Sequence, residues 1–264
     1  ARTATGFDPS MAGKPSAFAE REGVEIVPEY FRSERLDRPF NAVICRHVLE
    51  HLDTPMTLLA DIRRAIGDRN VPVYFEVPNA GWMLNALSMW DVIYEHVGYW
   101  TAPAMEAAFR RAGFAPPVIR EGYDRQFLML EVRPAASGSP CSNKEQVATN
   151  ADAFAAAVTI ELDSWRSRLS ALGGKAVIWG AGSKGITFAN ALGPAAAPLI
   201  AFVDLNTRKQ GLYVPGVALP VIGPEDLPER APDLVLISNS LYEAEIRGAA
   251  AKLGISAKYQ TIAG

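Results

Sequence analysis

The chain has 264 residues, 49% of them hydrophobic and 21% charged, a globular composition. At about 100–200 residues per domain, that length allows two ordinary domains. A net charge of −3 and a pI near 5.7 argue against a nucleic-acid-binding surface, so no nucleic-acid partner is expected. No apolar run is long enough for a membrane span and no signal peptide is visible. Cys45 and Cys141 are far apart and form no metal or redox spacing, so a reduced, cytoplasmic setting and a small-molecule substrate are expected.

The chain opens without Met on a strand under way, residues 2–8, that ends at Asp8. An acid at the carboxyl end of a parallel strand suits the two hydroxyls of a ribose; Asp8 equally suits a helix N-cap before Pro9-Ser10. An Ala- and Glu-rich helix is expected next, then a strand at Val24–Val27. A third strand, Phe40–Ile44, is apolar throughout, as a strand buried on both faces should be. Arg46 to Leu52 then opens a helix, and Val71–Val77 is a fourth strand ending at Pro78-Asn79. This alternation predicts an α/β doubly wound sheet with ligands at the carboxyl ends of its strands, near Asp8, Cys45–His47 and Asn79.

The stretch Asp91–Trp100 (Asp-Val-Ile-Tyr-Glu-His-Val-Gly-Tyr-Trp) concentrates the reactive side chains. His96, one of three histidines, is a candidate base. Glu95 could orient it, and Tyr94 or Tyr99 could donate to a developing oxyanion; together they could remove a proton next to a carbonyl. The plainer alternative is an aromatic helix entry with a solvated Glu-His pair. A helix over Ala102–Ala112 follows, closed by Gly113, then an antiparallel pair at Val118–Arg120 and Phe127–Val132.

Pro134–Asn143 reads as a linker. Beyond it Phe154, Val158, Leu162, Trp165, Leu169 and Leu172 form one apolar stripe on a helix, expected to pack across the domain boundary or else to belong to the second core. The strand Lys175–Trp179 runs into Gly180-Ala181-Gly182-Ser183-Lys184-Gly185, and Asp204 ends the next strand 19 residues past Gly185. This satisfies the dinucleotide fingerprint and, by itself, favours a nicotinamide domain. A strand at Asp233–Ser238 and a helix at Glu243–Leu253 complete this part.

Phe40-Asn41-Ala42-Val43-Ile44 with His47-Val48-Leu49-Glu50-His51-Leu52 resembles the fourth strand and next helix of class I S-adenosylmethionine-dependent methyltransferases, with Asn41 where that family usually has Asp. Gly6-Phe7-Asp8-Pro9-Ser10 resembles their second strand and its ribose-binding acid. The resemblance implies S-adenosylmethionine as cofactor, held by Asp8, Arg46 and His47. It also implies a central first strand, between those ending at Asp8 and Ile44, that this sequence lacks. An incomplete first domain, truncated at the N-terminus, is therefore expected.

Glu95-His96 with Tyr99-Trp100, and the second half with Val203-Asp204-Leu205-Asn206, Lys209-Gln210-Gly211 and Pro224-Glu225-Asp226-Leu227, resemble sugar C-methyltransferases acting on nucleotide-linked 4-keto-deoxysugars. The tyrosine of that family's Tyr-x-Glu-His signature is Ile93 here, with Tyr94 displaced by one residue. The zinc module of those enzymes is absent from this sequence.

The resemblance implies two Rossmann-like domains, residues 1–133 and 151–264 joined by 134–150. It makes Asn79, Gly180, Gly182, Lys184, Gly185 and Asp204 substrate-binding and the substrate a nucleotide-sugar. Other readings are a methyltransferase acting on another small molecule, an NAD(P)-binding oxidoreductase, or a non-catalytic binding protein. All three histidines and both cysteines precede Lys175, which leaves the glycine-rich half with Lys184, Lys209 and Tyr242 as acid–base groups.

Overall fold

A computed structural model describes residues 3–13, 23–35, 39–135 and 151–262. The fold is α/β and divides into two compact units. The first takes the described residues of Ala1–Ala80 and Val97–Val147; the second takes those of Gly81–His96 and Ala148–Gly264. Residues 81–96 lie inside the first span of the sequence yet pack with the second. The linker from 136 to 150 and most of the helix expected after Ser10, 14–22, lie outside the described residues.

In the first unit, β1 (Ala4–Phe7) and β2 (Val24–Val27) form a parallel two-stranded sheet of their own. A second sheet has β3 (Val43–Arg46) at one edge. Helix α1 (Pro55–Ile66) leads into β4 (Val73–Pro78), α2 (Ala80–Asn85) starts at the unit's boundary, and α3 (Ala102–Arg111) precedes the hairpin β5 (Val118–Gly122) and β6 (Phe127–Val132). The order is β3-β4-β6-β5, with β3 parallel to β4 and the rest antiparallel. Pro55 starts α1, whose Leu59, Ile62 and Ile66 recur at helical spacing and are buried. Thr101 caps α3, its hydroxyl accepting from the Ala104 N–H at 3.3 Å. These helices supply Leu59, Ile62, Met105 and Phe109 to a core with Phe75, Val77 and Leu130 of the sheet.

Two expectations are corrected here. The third strand runs Val43–Arg46 rather than Phe40–Ile44, and it is not buried on both faces, since Ile44 is 71% exposed. Val43 and Cys45 face the helices while Ile44 and Arg46 face away, so the strand alternates. Phe40 stays outside the sheet under Arg69, whose guanidinium stacks 4.3 Å from its ring and donates to its carbonyl. Nor does a helix open at Arg46. His47 turns the chain at φ 53, Leu49–His51 form a single 3₁₀ turn, and the helix begins only at Pro55.

In the second unit, α4 (Ala151–Ser170) precedes β7 (Ala176–Trp179), α5 (Ser183–Leu192), β8 (Leu199–Val203), β9 (Val221–Ile222), α6 (Leu227–Arg230), β10 (Leu234–Ile237), α7 (Glu243–Lys252) and β11 (Lys258–Thr261). The five strands are all parallel in the order β11-β10-β7-β8-β9. Every residue of β7 and β10 is buried, the continuous apolar run expected of a sheet covered on both faces. The stripe on α4 belongs to this core: Trp165 and Leu169 are buried there, with Phe154, Val158 and Leu162 packed against it.

Two glycines are required by geometry. Gly180 has φ 110, and a Cβ on Gly185 would sit 2.6 Å from the Gly180 carbonyl oxygen, so a larger residue at either position would disturb the turn between β7 and α5.

The second core also takes Met89 and Trp90. Trp90 is 2% exposed, donates from Nε1 to the Ile262 carbonyl at 2.7 Å and meets Phe188 edge to face at 4.9 Å.

Candidate functional site

The carboxyl end of β3 brings Arg46 and His47 against β4, where a charged residue interrupts an apolar strand. Glu76 is 3% exposed. Its Oε1 accepts from Arg46 Nη2 at 2.8 Å and lies 3.0 Å from His47 Nε2, and its Oε2 accepts from the Tyr74 hydroxyl at 2.8 Å. Burial pushes the Glu76 carboxyl upward, but the Arg46 and Tyr74 hydrogen bonds outweigh it and hold the group below its ordinary range. The left-handed turn at His47 aims the imidazole back over β4, where the His47 backbone N–H also donates to the Glu76 carbonyl at 3.0 Å.

Glu50 is the opposite case. It is 1% exposed, its Oε1 lies 3.6 Å from His47 Nδ1, and its Oε2 has no partner among the described residues. Burial raises its carboxyl above the ordinary range, against the pull of His51 and His47. One imidazole therefore lies between a carboxyl held below its ordinary range and one raised above it. Cys45, next to this cluster, is pushed up to about 12 by burial and by Glu50, which leaves it inert as a nucleophile.

Glu50 also holds the backbone of the reactive stretch, since its carbonyl accepts the Val97 and Gly98 N–H groups at 2.9 and 3.0 Å. Trp100 bridges to Asn79 at the end of β4. A cleft of about 450 Å³ is lined by Leu52, Pro55, Val97, Gly98, Tyr99 and Trp100. The indole Nε1 of Trp100 is buried with no acceptor among the described residues.

The expected site residues fall as follows. Arg46 and His47 come together, and Tyr99 lines the cleft. Asp8 is exposed at the end of β1 and caps a 3₁₀ turn, its Oδ1 accepting the Ser10 N–H at 2.9 Å. Asn79 is 4% exposed and ties down the β5–β6 turn through Glu121 Oε1 and the Arg125 carbonyl. Tyr94, Glu95 and His96 belong to the second unit, where Tyr94 is 96% exposed, Glu95 exposed and His96 half-buried.

In the second unit Gly182 caps α5. The Asp204 carboxylate is committed to the loop itself, accepting the Ala181 and Asn206 N–H groups at 3.0 and 2.8 Å and lying 3.2 Å from Lys209 Nζ. Burial works against its charge, but those bonds keep it below the ordinary range. In a dinucleotide site this acid would face a ribose; here protein groups occupy it. Lys184 pairs with Asp91 at 3.0 Å.

Glu50, Tyr74 and Glu76 were not singled out from sequence. Glu76, alone in the run Val-Tyr-Phe-Glu-Val, did leave a signal, because a charge inside a buried strand must have partners.

Residues 1–117 match the methyltransferase domain family, and residues 146–257 match the C-methyltransferase C-terminal domain family. The chain is a methyltransferase. No curated protein sequence matches it.

Among solved structures it is similar to an S-adenosylmethionine-dependent methyltransferase from Mesorhizobium loti, at 16% identity and TM-score 0.39 over 50% of this chain and 81% of that one. It is also similar to the N-methyltransferase NodS from Bradyrhizobium japonicum, at 13% identity and TM-score 0.35 over 50% of this chain and 66% of that one. Both likenesses are distant and bear on neither substrate nor cofactor.

The raised Glu50 carboxyl has a consequence for stability. A carboxyl whose folded value lies above its unfolded value contributes stability below the unfolded value, near 4.3 by model peptides, and loses it as pH rises through the folded value. At neutral pH the charge therefore counts against the fold. Glu50→Gln is expected to raise the melting temperature at pH 8 and to give no gain at pH 4, read by thermal unfolding across that range. An equal effect at both pH values contradicts the assignment.

Proposed function

We propose that the chain acts as a C-methyltransferase on a carbon next to a carbonyl, in a nucleotide-linked keto-deoxysugar, with S-adenosylmethionine as methyl donor and a cytoplasmic setting. The observation that carries this reading is the match of residues 146–257 to the C-methyltransferase C-terminal domain in a chain whose earlier half matches a methyltransferase domain. The stretch bearing Glu95 and His96 lies within the matched methyltransferase domain, residues 1–117.

The residues present fit the ribose end of the donor. Asp8 ends β1 with an exposed carboxylate that uses one oxygen on Ser10. Arg46 and His47 stand at the carboxyl end of β3, preorganised by Glu76. When bound, the donor supplies a sulfonium methyl, an electrophile that needs no further activation. On this reading His96 removes the proton next to the substrate carbonyl and Glu95 orients its imidazole. Tyr99, on the cleft wall, donates to the enolate oxygen, with Tyr94 as the alternative. Holding carbon and methyl in line then supplies much of the rate.

Two strand edges bear on completeness. Among the described residues β1 pairs only with β2 and β3 only with β4, in two separate sheets, and Ile44 is 71% exposed on β3. We infer that a strand from upstream of Ala1 pairs between β1 and β3 in the complete protein, since open backbone edges within a core are costly. The 264-residue chain is then expected to bind S-adenosylmethionine weakly by calorimetry, and a chain extended upstream to bind it at micromolar level. Micromolar binding by the shorter chain contradicts this.

The base is tested by exchange at carbon. In deuterium oxide without methyl donor, the extended enzyme should wash deuterium into the position next to the carbonyl of the keto-sugar nucleotide. His96→Gln should slow both exchange and turnover by about 10²–10⁴ while donor affinity stays the same. Survival of both within a few-fold moves the base elsewhere.

A further inference from the structure

The cleft of the first unit opens between the turn that leads into α1 and the loop that leads into α3, and it joins an apolar wall to a single acid. Leu52, Pro55, Val97, Tyr99 and Trp100 supply the wall, and Asp53 is the one charged residue of the lining among the described residues. Asp53 is exposed, and its carboxylate takes no hydrogen bond or ion pair from the described residues. It stands two positions before Pro55, the first residue of α1, where the helix dipole favours negative charge. Thr54 holds the cap position, so the Asp53 carboxylate is not spent on the helix end. Tyr99 is 41% exposed. Gly98 keeps the wall thin, since a Cβ there would lie 3.1 Å from Trp100 Nε1, a buried donor with no acceptor among the described residues. The volume of about 450 Å³ falls in the range of small-molecule sites, about 300–1,000 Å³.

We propose that this cleft holds the sugar ring of the acceptor and that Asp53 is a specificity-determining residue, accepting hydrogen bonds from ring hydroxyls while the aromatic wall covers one face of the ring. A sugar ring carries C–H groups on its faces and hydroxyls around its edge. An apolar wall with one charged acceptor beside it matches both, and charge-assisted hydrogen bonds are the stronger kind. A purely apolar ligand would desolvate Asp53 and give it no donor, which is costly. The charge also decides which half of a nucleotide-sugar enters. No basic residue lines the cleft among the described residues, and Asp53 repels a diphosphate, so the sugar end goes in. That the ring belongs to the methyl acceptor rests on the C-methyltransferase reading; the affinity of the cleft for a sugar does not.

The test is saturation-transfer NMR with titration on the 264-residue chain, which contains the whole cleft, using UDP-glucose, UDP-galactose and UDP alone as probes. For at least one of the two sugars the hexose protons should receive more saturation than the uridine protons, and UDP alone should bind more weakly. Asp53→Asn keeps the shape of the side chain and removes its charge and one acceptor. It should raise the Kd for that sugar about tenfold, and Asp53→Ala by at least as much, with the Kd for UDP unchanged. Asp53 is exposed and holds no described residue, so both variants should melt with the wild type. Saturation confined to the uridine, no binding of either sugar, or an unchanged Kd in Asp53→Asn overturns the proposal. In the chain extended upstream, Asp53→Asn should raise the KM for the keto-sugar nucleotide and leave the donor KM as it is. If that enzyme methylates carbon and Asp53→Asn leaves the acceptor KM unchanged, the C-methyltransferase reading stands and the sugar subsite fails. If the sugars bind through Asp53 but the wild-type enzyme methylates no carbon, the subsite stands and the C-methyltransferase reading fails.

Discussion

The structure depends on the burial of one indole. Trp90 leaves the span that sequence assigns to the first unit and completes the core of the second, edge to face with Phe188, which in turn packs on Trp165 of α4. Burying a side chain of this size contributes several kcal/mol, and its N–H finds the Ile262 carbonyl, so no polar cost remains. The chain on both sides of residues 81–96 belongs to the first unit. The residue proposed as base therefore lies on a segment whose Met89 and Trp90 pack in the second core.

The first unit contributes a different kind of order. Its sheet is covered by helices on one face, and on that frame a cluster of ionisable groups is fixed before any ligand arrives. Arg46 and Tyr74 hydrogen-bond Glu76 and hold its carboxyl below the ordinary range, whereas burial raises that of Glu50 against the pull of its neighbours. His47 stands between them in a left-handed backbone conformation that only a supporting structure maintains. Such opposed carboxyls around one imidazole suit a site that must handle charge at neutral pH. The Glu50 carbonyl meanwhile fastens Val97 and Gly98, so the same residue shapes the backbone beside the cleft.

Much of this was legible in the sequence where the signal is local. The hairpin at Val118–Arg120 and Phe127–Val132, the helix over Ala102–Ala112 closed by Gly113 and the strand–turn–helix at Lys175–Gly185 are read from the sequence, and the structure has them within a residue or two. The period of α4 was legible too, but a period defines a face and not what covers it; the face turned out to belong to the second core. The roles of Lys184 and Asp204 were not legible. Lys184 meets a partner 93 residues away, and Asp204 meets loop amides whose direction only the fold decides. The shift of β3 by a few residues came from Arg69 holding Phe40 out of the sheet, again a contact between distant positions.

The central claim is that residues 81–96 are part of the second unit. It is tested most directly by amide hydrogen exchange on Trp90→Ala, a change that should cost about 3–5 kcal/mol as a large-to-small substitution in a core. The account predicts faster exchange in β7, β8 and β10 of the second unit, with β4 and β6 of the first unchanged. Faster exchange confined to β4 and β6, with β7 and β10 as protected as in the wild type, would contradict it.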